Sequence, residues 1–250
     1  MELELRKRIE DLYSRSHRTN QLTATSFLDP AETAQAKIVI RHLTGVNALF
    51  YGGYEGAERM RLFFLPDYLD EEFFPYDEYL SAILVKCPYG SPTHRDYLGS
   101  LMGLGIKRET IGDILVFNGY TYIICTPTIA SFIADNLIKV GKFGVKCELC
   151  ELSQVKAPEP VFDAVTGTVA SLRADAVTAV AFNISRTTAA ELIKEGRLSL
   201  NHLEELSTSR EIEVGNLLSL RGYGRAKLAE LGGMSRKGRQ FIKLHVFSKK

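Results

Sequence analysis

The 250-residue chain has no tryptophan, four cysteines, four methionines and eight prolines. Four cysteines do not make a disulfide framework in a chain this long. Eight prolines and twenty glycines are too few for a collagen-like or low-complexity chain. No apolar run approaches the ~18 residues that mark a membrane span, so no membrane partner is expected. Strong charge of one sign is also missing, with 31 Lys and Arg against 30 Asp and Glu. The first residues, MELELRKRIEDLYSR, are charged from the second position and rich in acids. They read as neither a secretory signal nor a transit peptide, and the expectation is a cytoplasmic protein. What is present is ordinary for a globular chain: 45% apolar and 24% charged residues, enough for two or three domains at roughly 100–200 residues each.

The even charge is uneven along the chain. Residues 1–170 carry 17 basic and 22 acidic side chains, net −5, while residues 171–250 carry 14 and 8, net +6. Within 221–250 nine basic residues face Glu230 alone. A basic third on a neutral body is what a nucleic-acid-binding module produces, and a solvated Lys-rich tail is the plainer reading. Cys147 and Cys150 form one C-x-x-C. Zinc needs two further ligands and no second pair exists. The segment VKCELCEL reads as a strand, which points the two cysteines to opposite faces, so neither metal nor cofactor is expected. The five histidines, His17, His42, His94, His202 and His245, show no ligand spacing.

Periodicity divides the chain into three parts. Residues 2–17 read as a helix with an apolar stripe of Leu3, Leu5, Ile9 and Leu12. Asp29-Pro30 opens a second helix as N-cap and first helical residue, with Ala34, Ile38 and His42 following its face. Residues 46–51 and 60–65 flank the turn GGYEG as a hairpin. Residues 66–79, PDYLDEEFFPYDEY, mix acids and aromatics and read as a boundary, or as a partner-docking segment. Strands at 81–87, 112–118, 120–125 and 144–152 alternate with helices at 93–105 and 127–140. Asn118-Gly119 joins the middle pair. The order is β-α-β-β-α-β, the ferredoxin-like unit. One RNA-binding version of that unit stacks bases on aromatics of its central strands, and Phe117, Tyr120 and Tyr122 are the aromatics here, without the usual basic-Gly-aromatic motif. His94, Arg95, Lys107 and Arg108 either meet phosphate or cover a solvated face.

Residues 153–170 contain Ala-Pro-Glu-Pro and small residues and read as a second boundary. Two short helices then follow, at 171–183 and 185–197, with Ser185 as N-cap and Gly196 as the stop. Residues 197–201, 216–225 and 241–247 alternate as strands. At 100° per residue, Arg186, Ala190, Lys194 and Arg197 share an arc of about 80° on the second helix, beside the packing residues Ala189, Leu192 and Ile193. Arg186 sits at the helix start, where unpaired N–H groups and the dipole favour an anion, and Arg173 can join the same side. The geometry suits phosphate; an amphipathic helix with solvated cations is the alternative.

The stretch from about 171 to 228 resembles the S4-type RNA-binding domain. The resemblance rests on Arg173 and Asp175, Ser185-Arg186, Ala189, Leu192-Ile193, Gly196 and Asn201. It departs from the family's usual residues at Ala174, between the Arg and the Asp, and at His202, where Gly often follows the Asn. The segments FLDP (27–30), THRDYLGSLMGLGIKRETIGDI (93–114) and LSLRGYGRAKL (218–228) resemble YlmH-type proteins over nearly the whole chain. That resemblance implies an α+β protein of three parts: a small N-terminal α/β domain (1–75), an RRM-like middle domain with the ferredoxin-like βαββαβ order (76–155), and a C-terminal S4-like domain with basic strands (170–250). It implies a monomer that binds structured RNA, both rRNA and tRNA, on the large ribosomal subunit. In some members it implies stabilisation of peptidyl-tRNA while alanine tails are added to stalled chains. The expected contacts are Arg173, Ser185, Arg186, Lys194, Arg197, Asn201, Arg221, Tyr223, Arg225, Lys227, Arg236, Lys237 and Arg239, with His94, Arg95, Lys107 and Arg108 in the middle part. Glycines at 222 and 224 let backbone approach a phosphate ridge, and Tyr223 can stack on a base or sugar.

Two other classes compete with an RNA binder. An RNA-modifying enzyme needs a catalytic domain, and the chain has no P-loop and no G-x-S-x-G; Asp96 and Asp113 read as cap or turn residues. A cell-division adaptor docks protein through residues 66–79. The leading expectation, a non-enzymatic RNA binder, requires the cations of the C-terminal third to share one contiguous surface.

Overall fold

The computed structural model describes residues 2–247. They form two compact units that divide between Pro158 and Glu159.

The first unit begins with α1 (Glu2–Thr19), β1 (Thr23–Ala24), α2 (Pro30–Arg41), β2 (Ala48–Tyr51) and β3 (Arg61–Phe64). The strands pair antiparallel in the order β1-β3-β2. Leu5 and Ile9 of α1 bury against Leu62 and Phe64, an i, i+4 pair on one helix face. Leu3 lies off that face and is 66% exposed. Asp29 caps α2 as expected: its carboxylate accepts from the Glu32 N–H at 2.8 Å, and Glu32 accepts from the Asp29 N–H at 2.8 Å, a reciprocal capping box. The face that α2 buries is not Ala34, Ile38 and His42. Thr33 and Ala36 are buried while Ile38 is 43% exposed. Both sets of positions satisfy a helical period, and contact with the rest of the fold selects between them.

Residues 66–79 are packed, although their composition reads as a boundary. Phe74 is buried against Phe63 with ring centroids 4.9 Å apart, and the short helix α3 (Tyr76–Tyr79) adds Tyr76 and Tyr79 to the same aromatic cluster. Burying these rings outweighs the acids, which remain at the surface.

The rest of the unit runs β4 (Ser81–Lys86), α4 (His94–Gly103), β5 (Ile111–Val116), β6 (Tyr120–Cys125), α5 (Pro127–Asn136), the small pair β7 (Lys139–Val140) and β8 (Phe143–Gly144), and β9 (Lys146–Cys150). The main sheet is antiparallel with order β5-β6-β4-β9. Its central strands are therefore β4 and β6. Strand β5 is an edge, which corrects the reading of Phe117 as an aromatic of a central strand. One face packs Ile83, Val85, Ile123 and Cys125 against Tyr97, Leu101, Ala130 and Ile133 of the helices. On the other face, Ala82 and Ile124 are buried with Phe27 and Leu152. Cys147 packs with the first cluster and Cys150 with the second, on opposite faces as the strand period requires. Burial pushes the Cys147 thiol up to about 11, which makes it a poor nucleophile or metal ligand.

The second unit contains β10 (Phe162–Val169), α6 (Ala174–Phe182), α7 (Arg186–Lys194), β11 (Leu198–Leu200), β12 (Leu203–Glu204), β13 (Leu217–Leu220), β14 (Gly224–Met234) and β15 (Gln240–Phe247). One six-stranded antiparallel sheet holds them in the order β10-β15-β14-β13-β11-β12. Strand β10 lies inside a stretch that reads as a boundary. Its inward side is only Val165, Gly167 and Val169, too small and too few to mark a strand by composition. Gly167 is required there because a Cβ would meet Val180 Cγ1 of α6 at 2.5 Å. Strand β14 also runs nine residues past Arg225, with register shifts at Leu228/Glu230 and Leu231/Met234. Leu218, Leu220, Ala226, Leu228, Ile242 and Leu244 face the helices and pack on Val177, Ala181, Leu192 and Ile193.

Candidate nucleic-acid interface

The starts of α6 and α7 meet at one carboxylate. Asp175 is 6% exposed and lies at the second position of α6. Arg173 Nε donates to its Oδ1 at 3.3 Å, and an Arg186 terminal nitrogen donates to its Oδ2 at 3.0 Å. Burial alone raises a carboxyl pKa. The hydrogen bonds from Arg173 and Arg186, aided by both positive charges, outweigh it and hold Asp175 below its ordinary value. Arg173 and Arg186 are expected from the sequence as phosphate contacts, with solvated cations as the alternative. They are instead tied to an internal carboxylate, which leaves a net charge of one on the trio. Two guanidinium groups carry ten N–H donors, and two carboxylate oxygens occupy only part of them. Both arginines stay accessible, with side chains 39% and 54% exposed. Asp175 thus fixes their position at some loss of charge.

Ser185 is spent in the fold. Its Oγ accepts from the Thr188 N–H at 3.0 Å as the N-cap of α7. Lys194 is exposed in the last turn of α7, where a cation complements the helix dipole. The nine-residue helix puts about 12 Å of rise between Arg186 and Lys194.

Beyond α7 the chain builds a shallow open cleft of about 350 Å³, lined by Gly196, Arg197, Ser199, Ser219, Leu220, Arg221, Gly222, Gly224 and Arg225. Three of the nine are arginines and two are hydroxyl donors; the Glu195 carboxylate lies 4.0 Å from the Arg197 guanidinium. Arg197 donates a terminal N–H to the Arg221 carbonyl at 2.8 Å, which holds the guanidinium across the cleft. Gly222 makes this passage available: its φ is +89°, and a Cβ would sit 3.0 Å from the Arg197 guanidinium. The Arg225 guanidinium lies 5.9 Å from the Phe247 ring centre. Tyr223 is 37% exposed beside Phe182, with ring centroids 6.2 Å apart.

The other expected contacts divide by how much of each is left for a ligand. Asn201 serves the backbone: its Oδ1 accepts from the Leu217 N–H at 2.9 Å. It also starts the two-residue turn between β11 and β12, with φ of 49° at Asn201 and 72° at His202. Both angles are left-handed, which is why Asn-Gly suits such a turn and His202 strains it. Lys227 is exposed, and Arg236 and Lys237 are exposed at the β14–β15 turn. Arg239 donates to Thr168 Oγ1 at 3.0 Å. In the first unit His94 and Arg95 are exposed at the start of α4, and Lys107 is exposed. Arg108 turns inward, donating to the Ile111 and Gly112 carbonyls at 2.8 and 3.2 Å. Burial, then the charge of Arg59, lowers its pKa to about 10. It is an internal clamp rather than an exposed phosphate ligand. Phe117 and Tyr120 stack on each other at 4.9 Å, and Tyr122 is 8% exposed.

The two middle-part acids have structural tasks. Asp96 accepts from the Thr93 N–H at 2.8 Å in the α4 capping box. Asp113 accepts from the Tyr54 hydroxyl at 2.8 Å and the Glu58 N–H at 2.7 Å. Among the described residues no three His, Cys, Asp or Glu side chains group to hold a metal ion, and no helix is long and apolar enough to cross a membrane.

Sequence reasoning missed the two cleft serines and the Asp175 bridge. The alternation of Ser199 and Ser219 with buried leucines was the available signal for the serines. Nothing local marks the bridge, which closes over eleven residues.

Comparison with known proteins gives concordant matches. The family described as "YlmH, N-terminal" matches residues 2–69. The one described as "Putative RNA-binding domain in YlmH" matches residues 79–154. The chain is 33% identical over 220 residues to the ribosome-associated protein quality control protein P2 of Bacillus subtilis (strain 168), covering 87% of this chain and 84% of that protein. It also resembles the solved structure of the cell division protein ylmH from Streptococcus pneumoniae, with a TM-score of 0.54, 21% identity, and coverage of 62% of this chain and 93% of that one.

Proposed function

Because the chain belongs to the YlmH family, we propose that it is a non-enzymatic binder of structured RNA that works on the large ribosomal subunit during rescue of stalled nascent chains. The observation that carries this reading is the open, arginine-lined cleft of Arg197, Arg221 and Arg225 with Ser199 and Ser219. Arginines with hydroxyl donors and exposed glycine backbone match phosphate and 2′-OH groups. The orienting pair Arg173 and Arg186 supplies a second contact at the other end of α7.

The reading takes residues 170–250 as an S4-like domain, residues 76–155 as an RRM-like domain and residues 1–75 as a supporting N-terminal domain, in a cytoplasmic monomer. The sheet order β5-β6-β4-β9 around two helices supports the RRM-like reading. The name of the Bacillus relative supports the ribosome as partner. On this reading the chain's task there is to help hold peptidyl-tRNA while a stalled chain receives its alanine tail. The structural employment of Asp96 and Asp113 supports binding rather than catalysis.

The test is equilibrium binding to large-subunit rRNA and to tRNA across salt concentration. With about five phosphates neutralised, log K falls against log salt with a slope of roughly −3.5 to −4.5. Arg173→Ala, Arg186→Ala and Arg197→Ala each weaken binding by roughly tenfold without unfolding the unit. Unchanged affinity in all three variants overturns the reading.

A further inference from the structure

The side of the C-terminal sheet that faces away from α6 and α7 is aromatic where a solvent-facing sheet is normally polar. The register lays out two rows across it. One row is Phe162, Phe247, Arg225 and Ser219, and the next is Ala164, His245, Lys227 and Leu217. Phe162 stacks on His245 with centroids 3.8 Å apart and planes at 12°. Its ring meets Phe247 edge-on at 6.2 Å, and Arg225 lies over Phe247. Phe162 is 39% exposed, and Phe241, farther along β15, is 46% exposed. The first row continues through Ser199 to Glu204 at the far edge of the sheet, away from the rings, and the second has no carboxylate among its four residues. The neighbouring Glu230 pairs with Lys243 at 3.1 Å.

We infer that this sheet face is a stacking platform for unpaired nucleotides of the bound RNA, entered from the arginine cleft. The inference rests on the RNA-binding reading and adds a substrate class to it: a structured RNA with a single-stranded extension. Ser219 and Arg225 belong both to the cleft and to the first row, so a backbone gripped there continues onto Phe247 and Phe162. Rings with flanking cations serve any base, because every base has a flat π-face and the phosphates follow the charge. An apolar protein partner would need no cations between the rings. Arg225 and Lys227 therefore favour a polyanion.

The test uses an RNA hairpin without overhang and the same hairpin with a four-nucleotide tail at its 3′ or 5′ end, carrying 2-aminopurine in the tail. The full-length protein is expected to bind one tailed form at least fivefold more tightly than the plain hairpin, with quenching of the 2-aminopurine. Phe247→Ala and Phe162→Ala should remove that gain and the quenching while leaving the plain hairpin's affinity unchanged. Phe247→Leu, which keeps an apolar side chain, should remove them too. A tail that adds nothing while the plain hairpin binds overturns the platform and leaves RNA binding standing, with a protein partner as the remaining occupant. Retention of the gain in Phe247→Leu overturns stacking as its cause. Failure of the wild type to bind any of the hairpins overturns both readings.

Discussion

In residues 1–158, Arg59, Arg61 and Arg108 turn their guanidinium groups onto backbone carbonyls. In residues 159–250, Arg197, Arg221 and Arg225 line an open cleft. Arg59 reaches the Ile111 and Phe27 carbonyls at 3.0 and 3.2 Å, and Arg61 reaches those of Thr25 and Tyr79 at 2.8 and 2.7 Å. Burial lowers the pKa of both. The difference lies in what surrounds the side chain. Where strands and loops end with unpaired carbonyls beneath a cover, an arginine is structural cement. Where a turn of glycines leaves it at the surface, it stays open to solvent, even though Arg197 also donates to the Arg221 carbonyl. Asp175 with Arg173 and Arg186 stands between these cases, oriented by the fold yet open to solvent.

That contrast breaks first at Arg59. Arg59→Leu strips several half-buried carbonyls of their donor and should cost the first unit about 3 kcal/mol, read from urea denaturation. A loss below 0.5 kcal/mol would make Arg59 an ordinary surface cation. The cleft responds in affinity rather than stability. Arg197→Ala with Arg225→Ala should weaken RNA binding by about 2 kcal/mol and flatten the salt slope by roughly 1.4 to 1.8, with the unfolding midpoint unchanged. A collapse of the midpoint would move these arginines into the structural class.

Asp175 sharpens the intermediate case. Its folded pKa lies below the reference value of 3.8, so its stabilisation is complete above about pH 4 and disappears as pH falls through the lowered folded value. Asp175→Asn should cost the second unit about 1–2 kcal/mol at pH 7 and flatten the acid limb of its stability curve. It should also steepen the salt dependence of RNA binding, because two arginines lose their counter-charge. The smallest effect belongs to the β11–β12 turn. His202→Gly relieves a left-handed residue and should stabilise the second unit by about 1 kcal/mol, seen as a rise in its melting temperature.

Legibility followed the range of the interaction. The α2 capping box, the β5–β6 hairpin and the β-α-β-β-α-β order were readable because each depends on residues within a few positions. Strand β10 was not, since its side chains are small and its pairing partner β15 lies some 80 residues away. The packing of residues 66–79 was not readable for a related reason. Their acids dominate the local composition, while Phe74 finds its partner Phe63 outside the segment. Among the site residues, the cations of the cleft were named from charge and glycine content. Arg108 was named for its charge and its place in the string that resembles YlmH-type proteins, and it faces inward.

By itself the amino-acid order determined which side chains carry charge, where helices start and stop, and that the basic excess falls in the last third. Those properties are local, set by backbone propensity, capping and composition. Only the tertiary structure decided which cations keep donors for a ligand. That choice depends on where each guanidinium lands relative to carbonyls, to Asp175 and to solvent, and those distances arise when segments far apart in the chain are packed together.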